Sequence, residues 1–232
     1  MDNNRVVCVV PVYNESDVIK ETIKKLDTIR LIDEIVIVND GSEDNSLDVL
    51  EKLGKRIISY EKNMGKGYAI KRAMEELDYG YLMLVDGDLG RSSGEVYRLL
   101  DPILRSEADF TVARFPEAKK VTKKKGGFGL VKKLAKNGVR FFTGQEIESS
   151  LSGQRVYKKE VLDSIDYIPN RYGIEVAMTV QALNNGFEIL EVPVEMTHRY
   201  TGRDMAGFIH RGKQFKDILK TFIVMFFKGY KR

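Results

Sequence analysis

Two carboxylates one residue apart, Asp86 and Asp88, directly follow the apolar run of residues 82–85. A run of this kind is typical of a buried strand, which would then carry both acids at its carboxyl end. Mg²⁺ and Mn²⁺ prefer oxygen ligands and usually bind through one or two carboxylates together with substrate phosphates. The pair therefore predicts a divalent-cation site that holds a nucleoside diphosphate, although Asp-x-Asp pairs also occur in ordinary turns.

The elements that would position this pair alternate between strand and helix. Apolar and β-branched runs predict strands over residues 6–12, 34–38, 56–60 and 81–85. Helices are predicted from capping residues 14–17 to about residue 29, from residues 40–42 to about residue 53, and from residues 63–67 onward. Such alternation indicates a parallel sheet covered by helices on both faces. Ligands bind at the carboxyl ends of the strands in these sheets, and all four polar clusters fall there.

The second half of the chain is less regular. It predicts strands over residues 110–113, 154–157 and 188–197, a helix over residues 174–185 and a Lys/Gly-rich loop over residues 119–129. Pro193 indicates that the last strand lies at the sheet edge or contains a bulge, because proline has no backbone N–H to donate to a neighbouring strand. No linker or internal repeat separates two units, so we expect a single α/β domain.

The composition excludes several classes of protein. The chain has 232 residues, of which 43% are hydrophobic and 31% charged, as is typical of one soluble domain. Its single cysteine, Cys8, lies in an apolar run and excludes a disulfide framework. No secretory signal is visible, and the late apolar run 222–227 is too short to span a bilayer. We therefore expect a cytoplasmic protein.

Basic residues are concentrated in two segments, which suggests an anionic partner. Residues 115–140 contain nine Lys or Arg and one acid, and residues 199–232 contain nine and two. In the second segment the following apolar residues share one helical face: Phe208, Phe215, Ile218, Leu219, Phe222, Ile223 and Phe226. Such a face either packs on the protein's own core or lies on an anionic membrane surface, which attracts each nearby Lys or Arg by about 1 kcal/mol. Peripheral attachment to the inner face of a membrane is thus an open alternative.

Four motifs in series resemble those of family 2 glycosyltransferases. They are Val-Val-Pro-Val-Tyr-Asn-Glu at 9–15, Val-Asn-Asp-Gly-Ser-Glu-Asp at 38–44, Asn-Met-Gly-Lys-Gly at 63–67 and Val-Asp-Gly-Asp at 85–88. Tyr-Gly-Ile-Glu at 172–175, Glu-Val-Pro-Val at 191–194 and His-Arg at 198–199 resemble the polyprenyl-phosphate glycosyltransferase and glucosyl-3-phosphoglycerate synthase branches. The resemblance implies a GT-A fold, which is a Rossmann-like, mixed but mainly parallel sheet with helices on both faces. It also implies a nucleoside-diphosphate sugar donor.

This resemblance divides the single domain by function. Residues 1–114 would form the nucleotide-sugar-binding half, residues 115–199 the acceptor-side half and residues 200–232 a basic amphipathic C-terminal helix. The implied nucleotide-sugar-binding residues are Pro11, Tyr13, Glu15, Asp40, Lys66, Asp86, Gly87 and Arg199. Among them, Asp40 would accept a hydrogen bond from the base, and Lys66 would approach the ribose or the phosphates. Taken alone, residues 40–42 read equally well as a turn and helix cap.

The implied metal ligands are Asp86, Asp88 and His198, for either Mg²⁺ or Mn²⁺. Many relatives in the polyprenyl branch place a glutamine two residues after the second acid, but this chain has Gly90 there. His198 is the implied substitute, because the phosphoglycerate branch uses a histidine at the end of this late strand. The alternative for His198 is a surface or packed histidine.

The implied catalytic residues are Glu175, Asp88 and Arg155. Glu175 would take the acceptor's proton or hold the acceptor, unless it is only a helix-capping acid. A phosphate acceptor is already ionised and needs no base. Gln154 and Arg155 are the implied acceptor-binding residues, with Arg155 as a fork donor to an anion; the alternative for Arg155 is a surface ion pair.

The sequence thus predicts a metal-dependent glycosyltransferase. It would move a sugar, glucose from UDP in the first instance, to a phosphate-bearing or lipid-linked acceptor such as polyprenyl phosphate. A GDP-mannose donor is the close alternative. A basic nucleic-acid-binding module without catalysis is the alternative from another class, although no stacking pattern or DNA-binding motif supports a nucleic-acid partner. A Rossmann dehydrogenase is excluded because no Gly-x-Gly-x-x-Gly follows an early strand.

Overall fold

A computed structural model describes residues 4–116, 128–196 and 205–231. Within these ranges one sheet contains β1 (Val6–Val12), β2 (Glu34–Asp40), β3 (Arg56–Tyr60), β4 (Tyr81–Leu84), β5 (Phe110–Arg114), β6 (Arg155–Lys158) and β7 (Ile189–Pro193). The strands lie in the order β3-β2-β1-β4-β6-β5-β7. β6 runs antiparallel to both of its neighbours, and the other described pairs are parallel. The predicted mixed, mainly parallel sheet is confirmed.

Helices cover both faces of the sheet. They are α1 (Ile19–Leu26), α2 (Ser46–Glu51), α3 (Lys66–Glu76), a 3₁₀ helix (Gly90–Val96), α4 (Tyr97–Leu104), α5 (Phe128–Thr143), α6 (Lys159–Asp163), α7 (Ile174–Asn184) and α8 (Met205–Phe227). Alternate residues of β1 point to opposite faces, because the side-chain period of a strand is two. Val7 and Val9 pack in the core under α3, α5, α6, α7 and α8, whereas Cys8 and Val10 pack under α1, α2 and α4.

The predicted strands of the first half are confirmed to within two residues at each end. The first helix is shorter than predicted, beginning at Ile19 and ending at Leu26. Residues before it form a turn instead, in which the N–H groups of Val18 and Ile19 both donate to the carbonyl of Glu15. The predicted side-chain cap at residues 14–17 is wrong, since no side chain caps α1.

Three helical segments were not predicted. The 3₁₀ helix and α4 cover residues 90–104, α6 covers Lys159–Asp163, and α5 begins at Phe128, inside the predicted loop. Residues 119–127 of that loop lie outside the described residues. α5 packs against α8, where the rings of Phe142 and Phe222 stack with centroids 5.6 Å apart. Gly138 allows this packing, because a Cβ there would overlap the Phe222 ring.

The end of the chain forms the predicted amphipathic helix, α8. The predicted apolar face is divided between two environments: Ile218 and Phe222 are buried, whereas Leu219, Ile223 and Phe226 are more than 40% exposed. The side chain of Phe208 lies outside the described residues. Among the described residues, α8 included, no helix combines the length and apolarity that a bilayer span requires. β7 lies at the sheet edge, as Pro193 predicted.

Candidate active site

The carboxyl ends of β1, β2 and β4 lie side by side, because these strands are parallel neighbours. The loops that follow β1 and β2 are tied to each other. The N–H of Asn14 donates to Ser42 Oγ at 3.1 Å, and the N–H of Glu43 donates to Asn14 Oδ1 at 2.9 Å. Next to this crosslink, Tyr13 is 40% exposed at the rim. The first two motifs therefore form one crosslinked wall at this edge of the sheet.

Two other predicted residues complete this wall. Pro11 is half-buried within β1. The backbone N–H of Glu15 donates to Ser46 Oγ at 2.9 Å, which fixes the loop against the start of α2. The structure thus brings Pro11, Tyr13 and Glu15 together at the end of β1, as the sequence predicted. Their contact with a base or ribose stays a prediction.

Asp40 has a local role that the sequence did not reveal. Its side chain is 3% exposed, and its carboxylate accepts the backbone N–H of Met64 at 2.8 Å and of Gly65 at 2.9 Å. Gly65 has a φ of 100°, in the range that favours glycine. Asp40 therefore holds the loop that starts α3 and so places Lys66. Its predicted hydrogen bond with the base stays a prediction.

The turn after β4 is anchored by one threonine of α1. Thr22 Oγ1 donates to the carbonyl of Gly87 at 2.7 Å and accepts the N–H of Gly90 at 2.9 Å. Gly87 is buried, and Gly90 has a φ of 53°. The left-handed backbone at Gly90 favours glycine at this position. Thr22 thereby fixes the turn that carries Asp86 and Asp88.

A charged cluster lies at this edge of the sheet, built from four elements that are distant in sequence. Lys66 Nζ lies 2.6 Å from Asp86 Oδ1 and 3.3 Å from Glu175 Oε1. Gln154 Nε2 donates to Asp86 Oδ2 at 2.8 Å. The side chains of Lys66, Asp86 and Glu175 are 28%, 26% and 15% exposed. The structure thus brings together four predicted residues, and we call them the charged centre.

The ammonium group of Lys66 is stabilised in its charged form. Burial alone would lower the pKa of Lys66, but the charges of Asp86 and Glu175 and their hydrogen bonds raise it above its ordinary value. Lys66 is therefore a fixed positive charge between two carboxylates. A cation held in this way suits contact with the anionic oxygens of a diphosphate.

Gly153 gives this cluster its close packing. A Cβ at Gly153 would lie 2.6 Å from Asp86 Oδ2 and 3.0 Å from Asp86 Oδ1, and closer still to Lys66 Nζ. A side chain at this position would therefore require the ends of Lys66 and Asp86 to move, whereas glycine leaves the pair in place. No pattern in the sequence predicted this role for Gly153.

Arg155 is buried rather than exposed at the surface. Its side chain is 1% exposed, and its guanidinium donates to two backbone carbonyls of the preceding loop and to three groups behind it. Those three are the Tyr157 hydroxyl at 3.0 Å, the Glu175 carbonyl at 3.1 Å and Thr179 Oγ1 at 2.8 Å. The alternative of a surface ion pair is therefore wrong, whereas the predicted contact with an acceptor stays a prediction. Arg155 ties the loop of Gly153 to the helix that carries Glu175.

The donor set around Asp86 fits a hard divalent cation. Asp86 and Asp88 provide carboxylate oxygens, and Gln154 donates its amide N–H to Asp86 while its amide oxygen accepts from the Ser152 hydroxyl. Within residues 4–116, 128–196 and 205–231, no three His, Cys, Asp or Glu side chains cluster as a metal site. Mg²⁺ commonly binds through few protein oxygens and completes its shell with water and phosphates. The predicted ligand His198 and the predicted phosphate contact Arg199 lie outside the described residues.

Comparison with known proteins agrees with this geometry. The sequence model of the family described as Glycosyl transferase family 2 matches residues 7–166, which run from β1 through α6. The chain belongs to glycosyl transferase family 2. It is therefore an enzyme, a glycosyltransferase, and the non-catalytic nucleic-acid-binding alternative is wrong.

Two curated relatives align along most of this glycosyltransferase. Polyprenol monophosphomannose synthase from Mycolicibacterium smegmatis is 28% identical over 226 residues, which are 91% of this chain and 85% of the relative. UDP-N-acetylglucosamine--dolichyl-phosphate N-acetylglucosaminyltransferase from Methanococcus voltae is 26% identical, over 89% of this chain and 90% of the relative. Both alignments are nearly full-length, so the likeness extends beyond the donor-binding motifs.

A solved structure shares the fold. Glucosyl-3-phosphoglycerate synthase from Mycobacterium tuberculosis, in complex with Mn²⁺, UDP and phosphoglyceric acid, superposes with a TM-score of 0.79. The match covers 95% of this chain and 78% of that one, at 20% sequence identity. This likeness confirms the predicted GT-A fold.

Proposed function

We propose that this glycosyltransferase moves a sugar, glucose in the first instance, from UDP to a phosphate-bearing or lipid-linked acceptor such as polyprenyl phosphate. The observation that carries the proposal is the charged centre, where Lys66 lies between the carboxylates of Asp86 and Glu175. A GDP-mannose donor is the second candidate, because one curated relative is named as a phosphomannose synthase.

The donor site in this proposal is the cleft between the ends of β1, β2 and β4. Tyr13 presents an exposed ring at the rim, which suits stacking against a nucleobase. Lys66 is the nearest cation to the turn of Asp86 and would neutralise a phosphate oxygen. The division into a donor half (1–114), an acceptor half (115–199) and a C-terminal helix (200–232) is part of this proposal.

The reaction in this proposal breaks one bond and forms one. An acceptor oxygen attacks the anomeric carbon, and the bond from that carbon to the diphosphate breaks with its electron pair on the leaving oxygen. A bound Mg²⁺ or Mn²⁺ would stabilise the negative charge that develops there. Asp86, Asp88 and Gln154 would hold it, together with His198, and Arg199 would contact the phosphates.

Glu175 would act on the acceptor side. It sits in the first turn of α7, where the helix dipole stabilises a carboxylate, and its carbonyl is fixed by Arg155. With a hydroxyl acceptor it would take the proton as the new bond forms. With a phosphate acceptor it would only position groups, since that acceptor is already ionised.

A screen of donors tests this proposal. Thermal unfolding is measured with UDP-glucose, UDP-N-acetylglucosamine and GDP-mannose, each with and without Mn²⁺ or Mg²⁺. A rise in the melting temperature with a UDP sugar and a metal supports the proposal, and a rise with GDP-mannose alone supports the second candidate. If no sugar nucleotide changes the melting temperature in either metal, the proposed donor class is wrong.

We further propose that an apolar face shared by α5 and α8 rests on an anionic membrane. This α5–α8 face consists of Leu130, Phe141, Leu219, Ile223, Phe226 and Phe227, each between 41% and 82% exposed. The rings of Phe141 and Phe226 lie 6.5 Å apart, so the two helices form one surface. These two helices and the turn after α8 carry the exposed Lys132, Lys133, Lys220 and Lys228, and Lys231 lies 4.2 Å from the centre of the Phe141 ring. Apolar side chains framed by lysines complement acidic lipid headgroups.

Co-sedimentation with vesicles tests this surface. The double variant Phe226→Ser and Phe227→Ser should lose binding to vesicles that contain phosphatidylglycerol. Leu31→Ser is the matched control, because Leu31 is 48% exposed on the loop between α1 and β2. Equal binding by the wild type, the double variant and the control would refute the proposed face, as would no binding by the wild type at low salt.

A further inference from the structure

The carboxylate predicted to hold the metal is already engaged on both of its oxygens. Lys66 Nζ lies 2.6 Å from Asp86 Oδ1, and Gln154 Nε2 lies 2.8 Å from Asp86 Oδ2. A divalent cation on Asp86 would stand about 2.1 Å from a carboxylate oxygen. An ammonium group on that same oxygen repels the cation, so the two compete for Asp86.

Lys66 and Gln154 can each leave Asp86 without losing all their partners. Lys66 Nζ already lies 3.3 Å from Glu175 Oε1 and can stay paired with that carboxylate. Gln154 carries an amide oxygen as well as an amide nitrogen, so a rotation of its amide group replaces a donor by an acceptor. The same side chain can therefore donate to Asp86 or ligate a cation next to it.

We infer that Lys66 is an exchangeable counter-ion, which neutralises Asp86 until a divalent cation displaces it onto Glu175 and the donor diphosphate. This inference rests on the proposed function and adds to it a coupling between metal binding and nucleotide binding. A metal ion alone must displace an ammonium group from Asp86. A diphosphate offers that ammonium group new anionic oxygens, so metal and nucleotide bind cooperatively through Lys66.

The exchange makes Lys66 a positioning residue with a measurable signature. Mn²⁺ binding to the free protein is followed by electron paramagnetic resonance, with and without UDP. Lys66→Met should bind Mn²⁺ alone about tenfold more tightly than the wild type, and UDP should increase Mn²⁺ affinity less than in the wild type. Lys71→Met is the matched control, because Lys71 lies on the same helix and bonds Asn170 instead.

A double-mutant cycle separates exchange from simple charge repulsion. Glu175→Gln removes the second partner of Lys66, which then stays on Asp86, so Mn²⁺ should bind more weakly than to the wild type. In the Lys66→Met background the same change should have no effect, because Glu175 acts through Lys66. Additive effects of the two substitutions would show that Glu175 acts on the metal directly, and would overturn the inference.

The remaining outcomes are also decisive. If Lys66→Met binds Mn²⁺ no more tightly than the wild type, the exchange does not occur. If Lys66→Met does not fold, Glu175→Gln alone decides, and an unchanged or tighter Mn²⁺ affinity overturns the inference. Failure of the wild type to bind Mn²⁺ with any sugar nucleotide would instead refute the proposed function.

Discussion

Replacement of Gly153 by alanine should disable the charged centre while the fold survives. The added methyl carbon would lie 2.6 Å from Asp86 Oδ2, whereas ordinary contacts begin near 3.4 Å. Its nearest neighbours are the ends of two flexible side chains, Lys66 and Asp86, which can move aside. They would have to retreat by about 1 Å, and a misplacement of that size in an active site costs about 10²-fold in rate.

The assay compares metal-dependent hydrolysis of the sugar nucleotide with stability in urea. Gly153→Ala should reduce hydrolysis by about 10²-fold. Its free energy of unfolding should stay within about 1 kcal/mol of the wild-type value, the usual range for Gly→Ala where φ is permissive. Gly94→Ala is the matched control, because nothing lies within 4 Å of a Cβ at Gly94.

Two results would refute this reasoning. If Gly153→Ala hydrolyses the sugar nucleotide at the wild-type rate, the contact of Lys66 with Asp86 does not matter for the reaction. A loss of stability as large as the loss of activity would mean that Gly153 serves the fold. Reduced hydrolysis by Gly94→Ala would show that any methyl group near the turn after β4 is harmful.

Three other predictions concern stability. Arg155→Met should lower the free energy of unfolding in urea by at least about 2 kcal/mol, because it leaves buried acceptors without donors; an unchanged midpoint would contradict this. Gly67→Ala should cost about 1–3 kcal/mol, because its Cβ would overlap the backbone carbonyl of Pro169, and an unaltered melting temperature would show that this contact relaxes freely. Burial alone would raise the pKa of Asp109, but a backbone N–H and the ammonium of Lys158 lower it overall. Stability from Asp109 is therefore present above its unfolded pKa near 3.8 and lost as pH falls through the lower folded pKa, so Asp109→Asn should flatten the acid side of a melting-temperature profile.

The sequence predicted the sheet well because its strands carry local signals. β1 and β2 are apolar and β-branched along nearly their whole length, and their polar ends could only meet at one edge of a parallel sheet. The convergence of Asp86 with Lys66 was implied by the order of the motifs. The distance between Asp86 and Lys66 could not be predicted, because it depends on a loop held by Asp40 and on a turn held by Thr22.

The parts that the sequence missed depend on contacts between distant residues. α5 begins beside a Lys/Gly-rich segment and contains Gly138, which lowers helix propensity, and it is stabilised by packing on Phe222 of α8. Arg155 was expected to face a ligand because the family resemblance implied an acceptor contact at this position. Its burial depends on Thr179 and Tyr157, whose hydroxyl groups sequence alone could not place.

The most direct test of the account is calorimetric titration of UDP-glucose into the wild type and Asp88→Asn, with and without Mn²⁺. The account predicts that Mn²⁺ strengthens binding to the wild type, and that Asp88→Asn loses this gain but keeps the metal-free affinity. Equal strengthening by Mn²⁺ in both proteins would contradict it, because the cation would then be held without the acidic pair at the end of β4.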